Sequence, residues 1–280
     1  MRNFLYCSVI SLMLMGACKK DAPLDKPVKV TEILNAGYGP DARNILDLYL
    51  PEERTKETKV ILFVHGDKNF CGDKSKFTDL AKFFRDKGYV TASINYRVKN
   101  GNEQSILPLQ MLDLGKAISF LSSKANELNY SPENFGILGT SGGAYISLLY
   151  TYKFNQDNKV KAVVSMAGPT NLMNLISESS ELAGLDHYIG ESFQANPMAY
   201  KNASPVSYVK PTTRPTLLFH GKLDRVVPEE QAVELKTKLD EFNVSNKLVI
   251  YEDTGHEVLS LNNTAAFLGD VDSWFKGKIK

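Results

Sequence analysis

From residue 59 onward, short apolar runs alternate with longer amphipathic stripes, and this rhythm constrains the fold more than any other feature of the chain. Lys59–Val64 is a continuous apolar run behind a charged lead-in, the pattern of a strand buried on both faces. Lys76–Lys87 follows with apolar residues at Phe77, Leu80, Ala81, Phe83 and Phe84, a helical stripe that Gly88 ends. Strands are then predicted at Tyr89–Asn95, Phe135–Leu138, Val160–Met166, Thr216–Phe219 and Lys247–Tyr251, and helices at Ile106–Leu128, Ser141–Phe154, Glu229–Phe242 and Thr264–Lys276. This alternation predicts an α/β fold, a mainly parallel twisted sheet covered by helices on both faces. Two further strands are predicted ahead of it, at Val30–Leu34 and Asn44–Leu50. The second alternates in ILDLYL, which predicts one solvated face, as on an antiparallel edge. The 280 residues suffice for one large domain, placed at 28–280. Pro169–Lys210 breaks the rhythm over too long a stretch for a plain connection, and reads as an inserted cap at about 169–210 with short helices of its own.

In an open parallel sheet, reactive groups lie at the carboxyl ends of the strands. GILGTSGGAY puts Gly139-Thr140-Ser141-Gly142-Gly143 at such an end, between a strand and a helix. G-x-S-x-G in that setting makes Ser141 a candidate nucleophile. A sharp turn projects its hydroxyl above the sheet, the flanking glycines let strand and helix approach, and the amide of Gly142 is aimed at the space in front of the serine. The bland alternative is a helix-capping serine.

A serine hydroxyl is a weak nucleophile without an adjacent base. Of the four histidines, His256 follows the last strand by five residues, in a loop with Gly255, where it can reach over the sheet to Ser141. His65 and His220 each close a strand within an HG pair; the first suits support of a turn, the second a buried, hydrogen-bonded position. His187 falls in the cap, suited equally to the surface or to substrate contact. The base needs an acid to fix its tautomer. Asp224, in HGKLDRVVP after the preceding strand, is favoured over Asp253, three residues before His256, and over Asp186 in the cap.

Residues 1–17 differ from the rest. Arg2 precedes an uncharged run, Phe4–Ala17, short of the ~20 residues of a membrane span but suited to a secretory signal. LMGAC resembles a bacterial lipobox, with Met15 where Leu is more usual. The expectation is cleavage before Cys18, lipidation of Cys18 and a flexible tether over 18–27, which implies secretion across the inner membrane and a lipid anchor at a bacterial membrane, facing the periplasm or the cell exterior. An ordinary secretory signal or an uncleaved anchor is the alternative. Lys+Arg number 33 and Asp+Glu 32, so no charge excess points to a nucleic acid. No spacing suggests zinc ligands, and neither metal nor organic cofactor is expected. No heptad or fixed-period repeat stands out, and the oligomeric state is left open.

LDLYLP, VHG with GDKS shortly after, GYVTASINYR, LQMLDLGKAISFL, GTSGGAY, HGKLDRVVP and the final GH together resemble the α/β-hydrolase superfamily. Within it they are most similar to the bacterial esterase branch that includes feruloyl and acetyl-xylan esterases and hormone-sensitive-lipase-like carboxylesterases. The order Ser141, Asp224, His256 is the order of that superfamily. The resemblance covers nearly all of the chain after the leader. It implies a serine hydrolase that cleaves carboxylic esters through an acyl-enzyme, on short acyl or aromatic-acyl esters of carbohydrates.

The resemblance also implies an oxyanion hole. The family usually carries H-G-G-G-W in the first loop, where this chain reads His65-Gly66-Asp67-Lys68-Asn69. Mapped across, the backbone N–H groups of Asp67 and Lys68, with that of Gly142, would bind the oxyanion. Main-chain donors survive a change of side chain, but a carboxylate at Asp67 would oppose the developing charge unless it points away or pairs with Lys68. Two other readings stand beside the esterase. One is a peptidase like the catalytic domains of prolyl oligopeptidases, which share the residue order. The other is a pseudoenzyme that binds carbohydrate or a partner at the cell surface, suggested by Asp67 and Lys68.

Overall fold

The computed structural model describes residues 31–66, 72–98, 105–178 and 185–280. The leader, Cys18, the tether, Asp67 and Lys68 lie outside these residues. Within them, eight strands form one sheet: β1 (Glu32–Gly37), β2 (Ile45–Tyr49), β3 (Val60–Val64), β4 (Val90–Ile94), β5 (Phe135–Thr140), β6 (Val160–Met166), β7 (Thr216–Gly221) and β8 (Asn246–Tyr251). Their spatial order is β1-β2-β4-β3-β5-β6-β7-β8. The pairings of β2 with β1 and with β4 are antiparallel, and all the others are parallel.

Side chains leave a strand to alternate faces, and the central strands use both. Val60, Leu62 and Val64 of β3 join a cluster with Met111, Leu114, Ile118 and Leu121 of α2 (Leu107–Leu128) and with Tyr145, Ile146 and Leu149 of α3 (Gly142–Leu149). Ile61 and Phe63 face the other way, toward Ala81 and Phe84 of α1 (Thr78–Asp86) and Phe267, Val271 and Phe275 of α8 (Thr264–Lys278). On the α2–α3 face, Val163 of β6 and Leu218 of β7 meet Leu235 and Leu239 of α7 (Glu230–Glu241). Burying each such aliphatic or aromatic side chain contributes about 1.5–3 kcal/mol, so the strands that read as continuous apolar runs are held from both sides. Between β6 and β7 the described residues form α4 (Leu172–Glu178), α5 (Leu185–Ile189) and α6 (Pro197–Ala203), whose Leu172, Leu175, Tyr200 and Ala203 extend the first cluster.

Two local expectations change. ILDLYL is neither an edge nor half solvated. β1 covers it, and Asp47 is buried, with its carboxylate 2.6 Å from the Lys74 ammonium and accepting the Asn35 N–H at 2.8 Å. A polar side chain with two partners of its own needs no water, so the alternation was a false sign of exposure. The helix expected over Ser141–Phe154 is α-helical only to Leu149, and a π-helical turn, Tyr150–Phe154, completes it. Among the described residues, no helix is long and apolar enough to cross a membrane.

Candidate active site

The carboxyl ends of β5, β7 and β8 bring three side chains together. Ser141 sits between β5 and α3 with φ 52° and ψ −124°, a conformation L-residues rarely adopt. Its backbone is tied down on both sides. Its N–H donates to the Met166 carbonyl at 2.8 Å, and its carbonyl accepts from Tyr145 at 3.0 Å. The glycines around it answer to close backbone approach. A Cβ on Gly139 would strike the Gly143 carbonyl, and a Cβ on Gly143 would strike the carbonyls of Val64 and His65 at the end of β3. Gly142 opens α3, in the first turn, where N–H groups have no partner within the helix.

His256 Nε2 lies 2.8 Å from Ser141 Oγ, and His256 Nδ1 lies 2.8 Å from Asp224 Oδ2. A carboxylate only accepts, so Nδ1 carries the proton and Nε2 is left to accept from the serine hydroxyl. Exposure is graded along the line. The Asp224 side chain is fully enclosed, that of His256 is 19% exposed, and Ser141 is half-buried. Asp224 Oδ1 accepts the N–H groups of Val226 and Val227, both at 2.9 Å. Burial alone would raise the Asp224 carboxyl, but the imidazole N–H groups of His220 and His256 and the Val227 amide outweigh it, holding the group ionised well below the ordinary carboxylate range. The rival acids Asp253 and Asp186 are exposed. The loops that carry acid and base are bonded to each other: Leu223 N–H donates to the Thr254 carbonyl at 2.9 Å, and a Cβ on Gly221 would strike Thr254 and Gly255.

The loop after β3 is anchored at both ends. His65 is fully buried and stacks on Tyr96 with ring centroids 4.5 Å apart, while the Tyr96 hydroxyl donates to the His65 carbonyl at 2.6 Å. His65 Nδ1 donates to the Gly66 carbonyl at 2.8 Å. Burial pushes the His65 ring down to about 4, so it is neutral at physiological pH. From the turn ahead of β2, Arg43 spans this assembly. It donates to the carbonyls of Tyr96 and Gly72, each at 2.7 Å, and its Nη2 lies 3.4 Å from His65 Nε2. Asp113 of α2 receives Arg97 through both backbone and guanidinium, holding the end of β4 beside them.

His65 and His220 thus take the supporting positions read for them. His187 lies in α5, and its side chain is outside the described residues. Arg43 and Tyr96 were not singled out from sequence. A groove of about 770 Å³ lies elsewhere, lined by Tyr38, Met111, Phe120, Tyr150 and Phe154 among others, and holds none of the three converging residues.

Comparison with known proteins follows the same line. The BD-FAE family model matches residues 46–239. A probable isoprenylcysteine alpha-carbonyl methylesterase, ICMEL1 of Arabidopsis thaliana, is 25% identical over 259 residues, a match that takes in 85% of this chain and 53% of that protein. The chain therefore spans about half the length of the curated relatives it matches. Among solved structures, a truncated carbohydrate esterase from gut microbiota superposes with a TM-score of 0.78 at 23% identity, over 89% of this chain and 96% of that one. A puromycin-hydrolyzing peptidase of Mycobacterium tuberculosis superposes with a TM-score of 0.76 at 20% identity, over 92% of this chain and 41% of that one. These likenesses show the fold, which is the α/β-hydrolase fold.

Proposed function

The chain belongs to the BD-FAE family, and from that membership and the line Ser141–His256–Asp224 we propose a serine hydrolase that cleaves carboxylic esters. The carrying observation is the pair of 2.8 Å contacts that place one imidazole between a strained serine and a buried carboxylate. Ser141 Oγ attacks the ester carbonyl while His256 Nε2 takes its proton, and Asp224 orients the ring and stabilises the imidazolium. The backbone N–H groups of Gly142, Asp67 and Lys68 bind the oxyanion. Collapse of the tetrahedral intermediate expels the alcohol, which receives the proton from His256 and leaves an acyl-enzyme. Water, deprotonated by the same imidazole, then releases the acid and restores Ser141.

For the substrate we propose short acyl or aromatic-acyl esters on carbohydrates, a reading supported by the carbohydrate esterase among the structural neighbours. We place the protein at a bacterial membrane through lipid on Cys18, as the leader suggests.

A fluorophosphonate probe tests the chemistry. Labelling at Ser141 is expected, and folded protein that resists labelling would leave a binding protein as the better reading. Turnover of p-nitrophenyl esters but not aminoacyl nitroanilides separates esterase from peptidase. Mass spectrometry of the mature N-terminus tests the anchor; an unmodified Cys18 would contradict it.

A further inference from the structure

Among the described residues, His220 is the one buried histidine that touches the acid of the proposed triad without a part in the proton transfer. It is the penultimate residue of β7, opposite Ile250 of β8, and 1% exposed. Its Nε2 lies 2.7 Å from the Val227 carbonyl. A carbonyl only accepts, so Nε2 carries a proton. The same nitrogen is 3.3 Å from Asp224 Oδ2, the oxygen that His256 Nδ1 contacts at 2.8 Å. The single Nε2–H thus goes to the Val227 carbonyl and only leans on Oδ2 at longer range, beside the direct bond from His256, while Oδ1 takes the amides of Val226 and Val227. The Asp224 side chain is fully enclosed, so water cannot replace a lost donor.

We propose that His220 is a positioning residue for the reaction: its Nε2–H closes the 224–227 turn onto β7 and fixes Asp224 Oδ2 where His256 Nδ1 meets it. This rests on the reading of Ser141, His256 and Asp224 as a triad. Both amides that hold the carboxylate act on Oδ1. Without the His220 donor, the Val227 carbonyl is left unpaired in the core, the turn that delivers the Val226 and Val227 amides loses its tie to β7, and Oδ2 loses the imidazole on that side. The acid then turns toward whatever donor it can reach, and the imidazole follows it off line.

Two variants separate positioning from packing. His220→Gln keeps a side-chain N–H, and His220→Phe keeps bulk without a donor. Misplacement of a catalytic group by about 1 Å costs on the order of 10²-fold. His220→Phe is therefore expected to lose roughly 10- to 100-fold in kcat with KM within about twofold, while His220→Gln recovers most of the loss. The low-field proton resonance of His256 Nδ1–H should persist in His220→Gln and shift or broaden away in His220→Phe. Losses that are equal in the two variants and track their melting temperatures would overturn the proposal, as would an unaffected His220→Phe. Should His220→Phe fail to fold, imidazole ¹⁵N spectra of the wild-type protein at neutral pH decide, because a proton on His220 Nδ1 instead of Nε2 contradicts the geometry. Fluorophosphonate labelling of wild-type Ser141, run alongside, separates the two readings. Absent labelling sinks the hydrolase and this inference with it, whereas labelling with an unaffected His220→Phe sinks this inference alone.

Discussion

Gly66 lies directly against Ser141: a methyl group on Gly66 would sit 3.1 Å from the serine Cβ and 3.1 Å from the Thr140 carbonyl. The near end of the loop after β3 thus touches the nucleophile turn, with no side chain between them. Gly66→Ala should lower kcat by about 10-fold or more at little cost in stability, since the strain falls where alignment matters most. Gly143→Ala differs in kind, because its methyl would meet the main chain of β3. It should destabilise the fold by about 3 kcal/mol, near the upper end of overpacking costs. Activity and urea unfolding of the two variants, measured together, distinguish them.

Ser141 holds a backbone conformation that costs on the order of 1–3 kcal/mol for a residue with a side chain. Ser141→Gly should therefore raise stability by about 1 kcal/mol while removing turnover, once the greater chain entropy of unfolded glycine is offset. Ser141→Ala should also be inactive but not gain stability. Calorimetry on the two variants checks the contrast.

His65 gives the fold an acid limit. Its buried ring takes a proton only at about pH 4, against an ordinary value of 6.5. Between those values the unfolded chain binds a proton that the folded chain refuses, so the His65 contribution falls as pH drops from 6.5 and levels off below about 4, where the depressed carboxyl of Asp224 takes over the loss. The His65 loss approaches 1.4 kcal/mol per pH unit, about 3 kcal/mol in all. Urea titrations across this window measure the slope, and His65→Gln should flatten it.

Arg43 donates to two carbonyls and approaches a ring nitrogen from one planar group, which a point-charge ammonium cannot reproduce. Arg43→Lys should therefore lose most of what Arg43→Ala loses, about 2 kcal/mol in unfolding free energy, in keeping with hydrogen bonds to charged groups. A lysine variant as stable as the wild type would show that charge alone suffices.

Asp67→Gly should raise kcat on simple esters, because it removes a carboxylate from a loop assigned to stabilise negative charge. A fall in kcat would instead assign Asp67 to substrate contact or loop support. Steady-state kinetics on a p-nitrophenyl ester decide between the two.

The strands and helices read from sequence after residue 59 recur within a few residues of their expected ends, because strands buried on both faces are written as unbroken apolar runs. Ser141, Asp224 and His256 were legible for a related reason: each lies in the loop that follows a strand's carboxyl end, with a residue type suited to one step of the chemistry. The supports of the site were legible only in part: His65 and His220 read as supporting residues, but Arg43 did not, and neither did the groups these residues bind. Arg43 works by donating to the carbonyls of Tyr96 and Gly72, and His220 by donating to the carbonyl of Val227. Every residue has a carbonyl, so an acceptor of this kind leaves no mark on the sequence. Asp47 misled because its cation, Lys74, stands 27 residues away.

The end of β6 joins the two halves of the site. Met166 takes the Ser141 N–H, and Ala167 gives its own N–H to Phe219 on β7. Adjacent residues of a single strand end thereby span from the nucleophile to the strand that bears the acid. The gauge of the site is set by peptide units alone. A single inserted or deleted residue there would throw serine and imidazole out of range, whatever the buried side chains at 166 and 167.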